Sequence, residues 1–89
     1  MTNTVKVIKK FHTDGRIEEG EWPMTLAQMQ AFVGGSIEYV ATTHGKQCLV
    51  VNEMGTMDNL PQNWAATEMV RPGVMMIDCI RGNALLVWA

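Results

Sequence analysis

Polar and apolar positions alternate near the start of the chain, switch to a helical spacing around residue 25, and return to strand-like runs afterwards. Residues 4–11 (TVKVIKKF) are rich in β-branched and aromatic side chains, the composition of a strand. Strict alternation puts Val5, Val7 and Phe11 on one face with Lys9, and Ile8 on the other with Lys6 and Lys10. A strand so interrupted by charge is expected at a sheet edge. His12 to Gly15 is a turn, because Asp14-Gly15 supplies the positive φ of a tight hairpin. Arg16 to Trp22 is the expected return strand, closed by Pro23.

Thr25, three residues ahead of Gln28, has the spacing of a capping box. Leu26, Met29, Phe32 and Val33 then form an apolar stripe, and Gly34-Gly35 ends the helix. Ser36 to Thr42 and Gln47 to Asn52 are strands joined by the turn Thr43-His44-Gly45-Lys46. Glu53 to Leu60 is a further turn, and Asn63 caps a short helix over about 64–70 that stops before Pro72-Gly73. Val74 to Ile80 and Ala84 to Trp88 are two apolar strands. The order β-β-α-β-β-α-β-β predicts a single α+β domain over 1–89. It is a small antiparallel sheet with the main helix, about 25–33, packed on one face.

Composition adds a strain to this picture. Three Trp and eight Met stand against only seven basic residues in 89. That is more apolar matter than a thin core easily hides, and it points to a homo-oligomer. Met75-Met76 must face opposite sides of their strand, and Trp88 at its position is hard to bury in one copy unless the last strand is central. A net charge of −2 argues against duplex nucleic acid as a partner, since counterion displacement needs a basic face. No apolar run approaches the ~20 residues of a membrane span, and MTNTVKVIKKFH lacks the features of a signal peptide. A soluble, cytoplasmic protein is expected. Cys48 and Cys79 lie in apolar segments and are expected as reduced, buried thiols. Two Cys and two His without paired spacing make no metal site, and no cofactor motif occurs.

Three segments carry a resemblance: AFVGGSIEYV (31–40), NEMGTMDNLPQNWAATEM (52–69) and DCIRGNALLVW (78–88). Their order and spacing resemble a family of small bacteriophage and mobile-element proteins catalogued as a domain of unknown function. The resemblance covers roughly residues 24–89. It implies a phage or plasmid origin, a host cytoplasm and an accessory role, by analogy that of an inhibitor of host immunity.

The segment Pro61 to Thr67 carries the most chemistry. A helix start with free amides stands beside a large ring, so a phosphate can sit on the amides while a base stacks on Trp64. Asn63 would offer a donor and an acceptor, Thr67 follows one turn on, and Arg71 supplies charge from the helix end. Arg81, Tyr39 and His44 complete the candidate ligand contacts. The plainer reading keeps Asn63 as a cap, Trp64 in the core and Arg71 on the helix dipole. Gly34-Gly35-Ser36 is better read as a helix end than as a phosphate nest, because phosphates prefer helix N-termini. Ser36, His44 and Asp58 supply the letters of a triad without a nucleophile elbow, and Glu18-Glu19-Glu21 reads as a solvated face. The expectation is therefore a non-enzyme. Its first form is an oligomeric sponge for a nucleotide-derived host immune signal, and its second an inhibitor that binds a host defence protein. A third, plainer form is an accessory subunit whose assembly is its function.

Overall fold

The chain forms β1 (Val5–Phe11), β2 (Ile17–Met24), α1 (Leu26–Val33), β3 (Ile37–Ala41), β4 (Gln47–Asn52), α2 (Trp64–Thr67) and β5 (Ala84–Trp88). The computed structural model describes residues 3–73 and 79–88. The strands make one open five-stranded sheet in the order β2-β1-β5-β4-β3, every neighbouring pair antiparallel. With the two helices this is an α+β chain dominated by its sheet.

Local rules account for α1. The Thr25 hydroxyl accepts the Gln28 amide at 3.1 Å and the Gln28 side chain accepts the Thr25 amide at 2.8 Å. Gly34 closes the helix in the left-handed region at φ 87°, and the Gly34 and Gly35 amides both reach the Gln30 carbonyl.

The central strands are covered on both sides. Alternation sends Leu49, Val51, Ala84 and Leu86 to one side, where they cluster with Phe11, Ala66 and Ile80. Val50, Leu85 and Val87 go to the other and cluster with Val7, Met29 and Val33. A β-bulge at Ile8 makes this possible for β1: Val7 pairs with Val87, but Lys9 pairs with Leu86. The extra residue breaks the alternation read from the sequence, so Val7 and Phe11 serve opposite sides of the sheet.

Several expectations are corrected. β1 is not an edge strand; it lies between β2 and β5. Its lysines are matched from β2, Lys6 with Glu21 at 3.4 Å and Lys9 with Glu19 at 3.2 Å, which removes the charge that argued for an edge. The Lys10 ammonium sits 4.3 Å above the Trp22 ring. β2 is the edge on that side, and it runs through Pro23, a residue that edge strands tolerate. The second helix is one turn, 64–67, instead of reaching 70. Val70 is drawn into a bridge with Thr42, fixed by bonds from Thr43 N to Met69 O and from Arg71 N to Ala41 O. Of the expected strand at 74–80, residues 74–78, with Met75 and Met76, lie outside the described residues. Cys79 and Ile80 are buried but not in a strand. No helix among the described residues is long and apolar enough to cross a membrane.

Candidate functional site

Asn63 is 2 % exposed, and its hydrogen bonds run inward. Its side-chain amide donates to the carbonyls of Phe11 at 3.0 Å and Gly82 at 2.9 Å, and its side-chain oxygen accepts the Ala66 amide at 3.2 Å. The Thr67 hydroxyl donates to the Asn63 carbonyl and accepts the Ile80 amide. Both side chains are thus engaged within the fold, and the amides ahead of α2 are partly consumed by its own cap. Trp64 projects from this turn with 54 % of its surface exposed and belongs to neither core cluster.

Arg81 lies before β5, where it donates to the Leu60 carbonyl at 3.1 Å and stands 3.5 Å from the Asn59 side-chain oxygen. Tyr39 is half exposed in the middle of β3. The proposed ligand contacts therefore do not form one cluster around α2.

Two of them meet elsewhere, at the far end of β5. Thr42, fully buried, is the hub. Its carbonyl accepts the Arg71 Nε at 3.3 Å, while its hydroxyl lies 2.9 Å from the carbonyls of His44 and Gln47 and accepts the His44 amide at 3.1 Å. The His44 ring then meets Trp88 edge-on, with centroids 5.6 Å apart and planes at 84°. The Lys46 amide donates to His44 Nδ1 at 3.1 Å, so in the neutral ring the proton sits on Nε2, a free donor. Trp88 remains 42 % exposed although β5 is central.

Ion pairs gather on the β1–β2 hairpin, where Lys10 instead lies over the Trp22 ring. At the β1–β2 hairpin the cations Lys6, Lys9 and Arg16 have acidic partners. There too, His12 Nε2 donates to Glu18 at 2.6 Å and Arg16 donates to His12 Nδ1 at 3.3 Å. The bond from His12 is the main cause that holds the Glu18 carboxyl below its ordinary range, with help from the nearby Lys10 and Arg16 charges. Lys46 and Arg71, by contrast, have no acidic partner among the described residues. Arg71 is thus tied to Thr42, and Lys46 to the turn whose His44 ring meets the exposed indole. Among the described residues no group of His, Cys, Asp and Glu could hold a metal ion. Cys79 is buried and Cys48 half-buried, and burial pushes the Cys48 thiol up.

The sequence places Arg71 and His44 in one set of candidate contacts and Trp88 at a subunit contact, but it does not bring Trp88 to His44, and Lys46 and Thr42 carry no such signal. The turn Thr43 to Lys46 was legible. Its partner was not, because β5 reaches it only by entering the sheet beside β4.

Residues 5–89 match a family described as a domain of unknown function, DUF3846. The chain belongs to that family. No curated protein and no solved structure matches it.

Proposed function

We propose that this DUF3846 chain is a non-catalytic binding protein for a nucleotide-derived anion. Its site is the corner formed by Arg71, Lys46, His44 and Trp88. One observation carries the reading: Arg71 is bonded to Thr42, Lys46 lies in the turn whose His44 ring meets the exposed Trp88, and neither cation has an acidic partner among the described residues. A base stacks on the indole and phosphate oxygens meet the guanidinium, the ammonium and the His44 Nε2–H. Nothing in this arrangement supplies a nucleophile with an adjacent base, so the ligand is held and not turned over. Under this reading α1 packs on the sheet side away from the site and serves as cover. The exposed Trp64 and Met57 are the surface through which copies join into a homo-oligomer.

In its most specific form the protein is a phage or mobile-element sponge, acting in the host cytoplasm, that lowers the free concentration of a nucleotide immune signal. Sequestration needs only affinity and copy number. Purified protein is mixed with a panel of linear, cyclic and ADP-ribose-derived nucleotides and its thermal unfolding followed. A ligand at 100 times its Kd stabilises by ~2.7 kcal/mol. Chromatography of the heat-released ligand should return it unchanged; a cleaved product would make the protein a hydrolase. If no nucleotide shifts the unfolding temperature, the reading fails.

A further inference from the structure

The two edges of the sheet are built differently. β2 carries Glu18, Glu19, Glu21 and Pro23 and faces the bulge in β1, features that discourage a further strand. β3 carries only Glu38. In an antiparallel ladder alternate residues turn their main-chain groups outward. Ser36 O accepts Glu53 N on the β4 side, while Ala41 O and Thr43 N turn outward to Arg71 and Met69. The same alternation turns the N–H and C=O of Ile37 and Tyr39 away from β4. Residues 69–71 cover the Ala41 end, and the outward main-chain groups of Ile37 and Tyr39 have no partner among the described residues.

A second copy fits this edge poorly. Two-fold pairing centred on Tyr39 sets Ile37 against the covered Ala41 of the other copy. Centred on Ile37, it sets Tyr39 against Gly35, whose amide is already bound to Gln30 O. The remaining register, centred on Glu38, puts two carboxylates directly opposite each other, where like charges repel. Glu38 itself is exposed and has no cation within ion-pair distance among the described residues.

We infer that the Ile37–Tyr39 edge takes an extended segment of another protein, paired antiparallel, with a basic residue opposite Glu38 and apolar residues on either side. Main-chain bonds to Ile37 and Tyr39 supply the docking, and the Glu38 carboxylate selects the charge. This surface is independent of the corner at Thr42, so either can fail alone.

The test uses the full chain, labelled with ¹⁵N, and two capped peptides, TIKIT and TIEIT, at millimolar concentration. The Ile37 and Tyr39 amides should shift and gain protection from hydrogen exchange. TIKIT should bind about fivefold more tightly than TIEIT, and Glu38→Lys should reverse that order while leaving thermal unfolding unchanged. Absence of binding, shifts confined to another surface, or an unchanged order in Glu38→Lys would overturn the inference. So would a dimer in which those two amides are protected without peptide, since the edge would then belong to a second copy.

Discussion

The side-chain amide of Asn63 donates to the carbonyl of Phe11 at 3.0 Å, joining the end of β1 to the start of α2 across 52 positions of sequence. A second bond to Gly82 ties in the approach to β5. One buried side chain therefore ties together three segments that are also registered by the β1–β5 ladder and the Gln62–Arg81 bridge. Asn63→Asp replaces the donor with an oxygen facing two carbonyls, and Asn63→Ala leaves both carbonyls and the Ala66 amide unmatched. Each should cost about 3 kcal/mol or more in urea unfolding, with Asp the worse of the two. A loss under ~1 kcal/mol would show that water replaces these bonds.

The corner at Thr42 predicts a pattern of binding losses. Arg71→Ala should weaken nucleotide binding by about 10- to 100-fold, the usual value of a charge-assisted bond. Trp88→Ala should weaken it similarly through lost stacking. Arg81→Ala, whose guanidinium is engaged with the 59–60 turn, should leave affinity unchanged. Calorimetric titration of the three variants with whichever nucleotide shifts the wild type would decide the matter. Equal losses in all three would move the site.

Glycine positions give a stability contrast. A Cβ on Gly55 would lie 2.7 Å from the Arg81 carbonyl oxygen, a backbone atom that cannot swing aside. Gly55→Ala should therefore lower the unfolding temperature by several degrees, on the order of 1–3 kcal/mol. A Cβ on Gly45 meets nothing within 4 Å, and Gly45→Ala should be neutral or slightly stabilising. Thermal melts of the pair are sufficient, and a neutral Gly55→Ala would mean the 53–60 turn relaxes freely.

Acid should loosen the β1–β2 hairpin. Glu18 has its folded value lowered from the ordinary 4.5, chiefly by the His12 hydrogen bond. A carboxylate lowered on folding stabilises the fold above its unfolded value. That contribution fades as pH falls from about 4.5 through the folded value. Glu18→Gln should flatten the pH dependence of unfolding in that window. An identical slope in the variant would assign the acid sensitivity to other groups.

Elements decided by neighbours in sequence were legible from it. Thr25, Gln28 and Gly34 bound α1 by contacts within the helix and its caps. β4 and β5 run over Gln47–Asn52 and Ala84–Trp88, as their apolar runs predict. Features decided by distant partners were not. The bulge at Ile8 follows from fitting β1 between β2 and β5, and the early end of α2 from the pull of Thr42 on Val70. The candidate site divides in the same way. Asn63, Trp64 and Thr67 form a contiguous segment with conspicuous polar groups, but sequence does not reveal that Phe11, Gly82 and Ile80 engage them. His44 and Trp88 become neighbours only once the sheet is assembled.

The position of β5 governs how the chain assembles. β1 and β2 can close locally, as can β3 and β4, but the two hairpins share no ladder until Ala84–Trp88 slides between them. Such late, long-range pairing slows folding, because the entropy of closing long loops is lost before the contacts that offset it form. A ribosome pausing before residue 84 holds two half-sheets with exposed apolar strands, the species most exposed to aggregation and to chaperones. Substitutions at Leu85 or Leu86 should accordingly slow refolding, whereas changes at exposed positions of β2 should act mainly on unfolding.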